Sequence, residues 1–466
     1  MHPILIADDS AALPIWLATP ADWPSVRATL GAGAAAFAEA AGFAPEAGRH
    51  LLLPAEEGGV AGMLFGLGEA GPKRDRLLAG RLAEVLPAGG SSASSWRFAT
   101  PPPEPALAVL AILLGAYRFQ RYRAAKPPRF RLVVPAGVDG EEVSRLADAV
   151  TFARDLVNTP ANDLGPAELE QAVRMLGGAH GAAVSSIVGD DLLAHGFPLI
   201  HAVGKGSVRA PRLIDLVWGD PGAPKLTLVG KGVCFDSGGL DIKPASAMLL
   251  MKKDMGGAAA ALALAKLVME RRLPVRLRVL VPAVENAVSG AAFRPGDVYP
   301  SHKGLTVEVS DTDAEGRLVL ADALALADTE APDLLIDFAT LTGAARVALG
   351  PDIAPVFTED EELAAALARH AAATADPLWR LPLWPPYAAG LDSKIADTAS
   401  VAAGGFAGSI VAALFLSRFV ERTRSWLHLD IYGWTPKPRP GRPEGGEASA
   451  VRALDSLLNE RFKDRI

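Results

Sequence analysis

The chain has 466 residues, of which 50% are hydrophobic and 21% charged, with 46 Gly, 37 Pro and a formal net charge of −7 at pH 7. That length exceeds one ordinary core, the composition excludes a disordered or collagen-like chain, and the acidic balance gives no electrostatic reason to expect general affinity for nucleic acid or anionic lipid. The single cysteine, Cys234, excludes an intrachain disulfide framework and a cysteine-rich zinc site, and suits a reducing compartment.

At the N-terminus, MHPILIADDSAALP meets Asp8 and Asp9 after a very short apolar run and has no basic leading region. No secretory signal is expected, and a soluble cytoplasmic protein is. Through about residue 135, short β-like runs (HPILIA, HLLLP, RFRLVVP) alternate with Ala-rich helical stretches such as ATLGAGAAAFAEAAG. These predict a smaller α/β domain over 1–138 without evident chemistry. The most apolar segment, ALAVLAILLGAY at 106–117, is well short of the roughly 20 residues that cross a bilayer and predicts a buried helix. After a Pro-rich joint, AAKPPRFRLVVPAGVDG, Val143, Leu146, Val150, Phe152 and Leu156 fall at approximately helical spacing. They predict a helix over 139–157 that joins two domains.

Over 158–466 the pattern becomes strand, Gly-rich turn, helix. KLTLVGKG leads to FDSGGLDIK; LMKKDMGG opens AAAALALAKLVMERR; PVRLRVLVPAVEN follows; LTVEVSDTDAEG opens RLVLADALALADTEA; PDLLIDFATLTGAA comes next. Val- and Leu-rich strands alternating with helices predict a larger α/β domain, with a mixed, largely parallel sheet flanked by helices. Ligands of such sheets gather at the carboxyl ends of the strands. Asp236, Asp254, Asp313 and Glu315 all stand at strand-to-turn or turn-to-helix junctions, where their loops can converge on one crevice.

By itself DTDAEGR, at 311–317, reads as the cap of a helix beginning near Arg317, because carboxylates suit free N–H groups and the helix dipole. Acids recur at the other junctions, however, each turn contains Gly, and Lys231 and Lys243 flank Asp236. An oxygen-rich cluster without Cys, and without an HExxH helix, suits Mg2+, Mn2+ or Zn2+. Four carboxylates would balance two such ions. Other motifs are weaker: the eight His show no metal-ligand spacing, Ser237 in FDSGG lacks a GxSxG elbow, and GKG at 230–232 is not a P-loop. Cys234 is expected to be buried filler.

VGKGVCFDSGGLDIKP, LMKKDMGGAA, ENAVSGAAFRPGDV, DTDAEGRLVLADAL and DFATLTGAA, in this order, resemble the signature blocks of the leucyl aminopeptidase (cytosol aminopeptidase, M17) family. The resemblance runs from NTPAN at 158–162 to HLDIYGW at 428–434, roughly the C-terminal two-thirds; the N-terminal third matches only in size and α/β character. It implies a dimetal aminopeptidase that hydrolyses the N-terminal peptide bond of peptides by attack of a metal-bridging water, the free α-amine of the substrate lying at one metal. Asp236 and Glu315 would bridge the ions, Asp313 would bind one, and Asp254 with the Lys231 amine the other. Lys231 must then give up its proton, which two nearby dications would enforce. Lys243 would stay cationic and polarise the scissile carbonyl, while Arg317 would hold a bicarbonate ion as general base. Met251, Thr340, Gly343 and Tyr432 would line the pocket for the first side chain, Tyr432 standing where many members carry Ala. Mn2+ or Zn2+ is the expected pair of ions, with Mg2+ and Co2+ also suitable. The resemblance further implies a homohexamer engaged in intracellular peptide turnover; neither membrane nor nucleic acid is an expected partner. Two alternatives stand beside it: a two-metal phosphoesterase, and an additional DNA-binding role, since some members bind DNA. Asp311, where members usually have Asn, is expected to accept backbone hydrogen bonds rather than to ligate.

Overall fold

The structure, a computed structural model, describes residues 1–87, 94–124 and 128–463. Part of the Pro-rich joint, at 125–127, lies outside the described residues. The chain divides into two compact units, Met1–Thr151 with Lys437–Glu444, and Phe152–Pro436 with Gly445–Ile466.

In the first unit, β1 (Leu5–Ile6), β2 (Leu13–Ala18), β3 (His50–Pro54), β4 (Val60–Gly66), β5 (Ser94–Phe98) and β6 (Phe130–Val133) form one sheet in the order β1-β6-β5-β2-β4-β3. Only β3 and β4 pair antiparallel among these neighbours. The apolar run near residue 110 is the helix Pro105–Ala116, buried at every position from Ala108 to Ala116. Pro at its first position lacks an N–H that would have found no partner there anyway.

The helix Gly140–Asn158 starts where Asp139 Oδ1 accepts the backbone N–H groups of Glu141 (2.9 Å) and Glu142 (3.1 Å). It buries Val143, Val150 and Leu156, with Leu146 and Phe152 half-buried, and the division between the two units falls inside it.

The second unit contains β7 (Ala183–Val188), β8 (Arg212–Trp218), β9 (Lys225–Gly230), β10 (Gly232–Asp236), β11 (Arg276–Asn286), β12 (Val298–Pro300), β13 (Thr306–Glu308), β14 (Leu334–Ala339), β15 (Ala354–Phe357), β16 (Leu378–Arg380), β17 (Thr398–Ala399) and β18 (Trp426–Asp430). Nine of these build the main sheet, ordered β16-β15-β18-β14-β9-β11-β8-β7, with β10 beside β11; β12, β13 and β17 form a small separate sheet. The strands β9, β10, β11, β14 and β18 run parallel, and β8 and β15 turn against them. Strands such as LLIDFA in β14 are buried at every position, the pattern of a parallel sheet covered on both faces.

The helix Glu315–Asp328 shares a core with Val229, Leu280 and Leu335 of that sheet. The helix Gly256–Glu270 packs against β9, β11 and β14, and its first turn hugs the sheet so closely that a Cβ on Gly257 would stand 2.2 Å from Phe338 O. Not every buried acid here is a site residue. Asp322 accepts the N–H groups of Leu199 (2.9 Å), Ile200 (3.2 Å) and His302 (2.7 Å), and burial pushes its carboxyl up to about 7.

Candidate metal centre

The parallel strands deliver chemistry at their carboxyl ends. Lys231 follows β9, Asp236 ends β10, Asn286 ends β11, Thr340 follows β14, and Asp430 ends β18. Asp254 lies in the single turn Met251–Met255 that leads into the helix Gly256–Glu270. Asp313 lies in the turn Thr312–Ala314, and Glu315 is the first residue of the helix that follows. Capping does not absorb these acids. Asp311 is the capping residue of the DTDAEGR turn, its Oδ1 accepting Asp313 N at 2.8 Å, whereas one carboxylate oxygen from each of Asp236, Asp313 and Glu315 lies within 4.8 Å of the others.

Two lysines thread the cluster. Lys231 Nζ lies 2.8 Å from both Asp254 Oδ2 and Glu315 Oε1, and donates to Thr340 O at 2.9 Å. Lys243 Nζ lies 2.8 Å from Asp236 Oδ2 and also pairs with Asp313 Oδ1. Burial opposes both ammonium groups, but Asp254 and Glu315 around Lys231, and Asp236 beside Lys243, outweigh it and hold both above the usual lysine range. The carboxyls divide. Burial and the charge of Asp236 push Asp313 up to about 6 and Glu315 well above the ordinary range, whereas Lys231 overcomes burial and lowers Asp254. Four carboxyls crowd around two lysines, and the buried Glu315 Oε2 accepts no hydrogen bond. A hard-oxygen donor set with an unsatisfied oxygen fits divalent cations.

The supporting residues were not legible in advance. Asn286 Nδ2 donates to Asp236 Oδ1 and to Thr312 O, each at 2.9 Å, tying two loops of the cluster together. Thr312 Oγ1 donates to Gly238 O at 2.6 Å, and Thr312 N donates to Asp241 Oδ2 at 2.8 Å. The hydroxyl of Thr340 sits 2.8 Å from Asp254 Oδ1, so this pocket residue also orients an acid of the cluster. Gly316 must be small, because a Cβ there would meet Lys231 Cε at 2.5 Å. A signal for Asn286 did exist, since it falls in the ENAVSG block at a strand end, but nothing local says which carboxylate it holds.

Arg317 is buried, donates from Nη1 to Ser400 O at 2.7 Å, and leaves Nε without a partner; burial lowers its guanidinium to about 10. An unpartnered buried guanidinium nitrogen fits an anion. A cavity of about 400 Å³ opens over the cluster and is lined by every residue predicted for the site except Glu315, which is buried and paired with Lys231. Lys253 and Arg346 also line it, on either count unanticipated from the sequence. No histidine does. Buried His428 instead pairs with Asp337 Oδ1 at 2.5 Å. Cys234 is buried, and burial pushes its thiol up, as suits a packing residue.

A mixed α/β sheet whose strand ends gather acids, a pair of lysines and an anion-ready arginine over a cavity defines a metal-dependent hydrolase. The chain belongs to the cytosol aminopeptidase family: residues 151–455 match the cytosol aminopeptidase family catalytic domain and residues 13–135 the M17 aminopeptidase N-terminal domain. It is similar to a probable cytosol aminopeptidase of Roseiflexus castenholzii, 43% identical over 366 residues, 75% of each chain. A probable cytosol aminopeptidase of Geobacter sp. (strain M21) is 40% identical over 462 residues, 93% of each. Among solved structures, the cytosol aminopeptidase from Coxiella burnetii superposes with a TM-score of 0.93 at 44% identity, covering 99% of this chain and 100% of that one. The bottromycin maturation enzyme BotP, in complex with Mn, gives 0.86 at 34% identity, covering 97% and 100%. The protein is thus a metallo-aminopeptidase acting on peptides, and the family does not favour the phosphoesterase alternative. Among the described residues no helix is long and apolar enough to cross a membrane.

Proposed function

We propose that this enzyme works with two divalent ions per subunit, Mn2+ or Zn2+ before Mg2+ or Co2+. Asp236 and Glu315 would serve both ions, Asp313 one, and Asp254 with the Lys231 amine the other. The observation that carries this reading is the close cluster of Asp236, Asp313 and Glu315, with Glu315 Oε2 left without a hydrogen bond. Bound there, the ions would supply Lewis acidity toward the scissile carbonyl and an acidified water. Lys243 remains cationic and donates to the carbonyl oxygen as negative charge builds on it. Arg317, with Nε to spare, would hold a bicarbonate ion, which would supply a base for the attacking water. Met251, Thr340, Gly343 and Tyr432 wall the place of the first side chain. Release of N-terminal residues from peptides and aminoacyl p-nitroanilides, lost on chelation and restored by Mn2+, tests this, with p-nitrophenyl phosphate as the counter-substrate. Cleavage of the phosphate ester without release of any N-terminal residue would overturn it.

Uptake of the ions should depend on pH with a definite sign. Lys231 is held protonated by its carboxylate neighbours, and Glu315 and Asp313 are raised, so ligation must expel protons. Affinity should therefore rise with pH, ~10-fold per unit between pH 7 and 9 from the Lys231 proton alone, and fall more steeply near pH 6, where Asp313 takes up a proton. Calorimetry in buffers of different ionisation enthalpy counts the protons released. A pH-independent affinity over that upper range would remove Lys231 from the ligand set.

The assembly we propose is a cytoplasmic homohexamer of two stacked trimers, a reading that rests on membership of the family. Light scattering should give six subunits at micromolar concentration; a stable monomer or dimer would sink it.

A further inference from the structure

Five cationic side chains line the cavity, and three are engaged: Lys231 with Asp254 and Glu315, Lys243 with Asp236 and Asp313, and Arg317 with the Ser400 carbonyl. Lys253 and Arg346 are different. Among the described residues neither side chain has a hydrogen bond or an ion pair, and both lie against one aromatic ring instead. Lys253 Nζ is 4.6 Å and Arg346 Cζ 5.6 Å from the centroid of Tyr432. Lys253 is only 6% exposed, so its charge is largely withdrawn from water. A buried ammonium without an anion is not retained for stability, because desolvation opposes it and a ring face compensates only in part.

The nearby acids are engaged elsewhere. Asp254 is paired with Lys231, and Asp430 accepts from Leu341 N, Thr342 N, Thr342 Oγ1 and Ser409 Oγ. Met251, Thr340 and Gly343 add no charge to this part of the cavity. Met251 and Thr340 bring a thioether and a hydroxyl already directed at Asp254, and around Gly343 no atom lies within 4 Å of where a Cβ would stand. What remains is a recess beside the acids of the metal centre that has two cations without an ion-pair partner, a phenol and open space.

Resting on the aminopeptidase reading, we propose that the pocket for the first side chain selects an acidic residue, N-terminal glutamate or aspartate, whose carboxylate is received by Lys253 and Arg346 beside Tyr432. Neither cation has an acceptor among the described residues, so N–H donors of both remain available beside the Tyr432 ring. The carboxylate gains charge-assisted hydrogen bonds that a side-chain amide of the same shape makes only as neutral ones. The paired lysine and arginine thereby obtain the anion that the chain itself withholds.

The test compares release of the first residue from X-Ala-Ala with X = Glu, Gln and Leu by the Mn2+-loaded enzyme, and the ratio of kcat/KM for Glu to that for Gln is read within each preparation. A ratio of ~10 or more is expected, carried mainly by KM, with Leu below Glu. The exposed Arg346→Met should lower this ratio at least ~5-fold, and the buried Lys253→Met should lower it as well. Partial unfolding would reduce both rates together and leave the ratio unmoved. A wild-type ratio near one, Leu ahead of Glu, or a ratio unchanged in Arg346→Met overturns the proposal while leaving the aminopeptidase reading standing. Absence of release from all three peptides would instead overturn both.

Discussion

Asp313→Asn is expected to all but abolish peptide hydrolysis and to lower metal content, whereas Asp311→Asn should keep at least roughly a tenth of wild-type activity. The two residues are neighbours in one turn, and their side chains do different things. Asp313 pairs with Lys243 and shares the close carboxylate cluster with Asp236 and Glu315. An amide there removes a full negative charge and one anionic oxygen from the place where a cation would bind. Asp311 Oδ1 is occupied by Asp313 N at 2.8 Å, a hydrogen bond that an asparagine oxygen accepts equally well. Metal analysis and kcat measured on both variants decide the matter. Equal loss of metal and activity would move Asp311 among the ligands and require the turn to be reassigned.

Lys243→Ala is expected to lose on the order of 10²-fold or more in kcat while keeping its metal, the scale for removing one donor to a developing oxyanion. The geometry argues for that separation. Lys243 stands between Asp236 and Asp313, so its removal leaves two carboxylates without their nearest cation and increases the attraction for divalent ions. The charge lost is therefore missed by the reaction rather than by the metal. If metal content fell in parallel with activity, Lys243 would be a residue that holds the cluster together. Asp254→Ala should show the reverse order, since it takes away a buried carboxylate that Lys231 and the Thr340 hydroxyl both address, and metal should go first.

Much of the site was visible before any coordinates because the strand–turn–helix rhythm itself announces where strands end. Asp236 closes VCFD, Lys231 follows LTLVG, and DTDAEG precedes a long apolar helix, so their places at element junctions follow from the period. The same rhythm made the sheet flanked by helices readable, and the buried helix near residue 110 needed only its unbroken apolar run. Asp311 was set apart from Asp313 by the resemblance, whose members usually have Asn there, and its Oδ1 accepts Asp313 N in the structure.

Lys253 and Arg346 escaped for the opposite reason. In sequence, Lys253 is one of two lysines in LMKKDMGG and Arg346 a basic residue on a short helix, each indistinguishable from a solvated surface charge. Only their meeting on the Tyr432 ring removes them from that class. For Asn286 the block and the strand end gave a place but no partner, because an amide there can serve a turn as readily as a carboxylate.

What the sequence determined by itself is therefore local: the α/β class, the loops that hold acids, and the residue types able to attract divalent ions, all written in hydrophobic period and in Gly-rich junctions. Which side chains meet was decided by strand order and register. Gly230 of β9 stands opposite Phe338 of β14 and Ala339 opposite Asp430 of β18, so Lys231, Thr340 and the end of β18 arrive side by side from distant parts of the chain. That adjacency depends on the parallel ladder, which is set by the burial of both faces of the sheet and has no counterpart in any short window of residues.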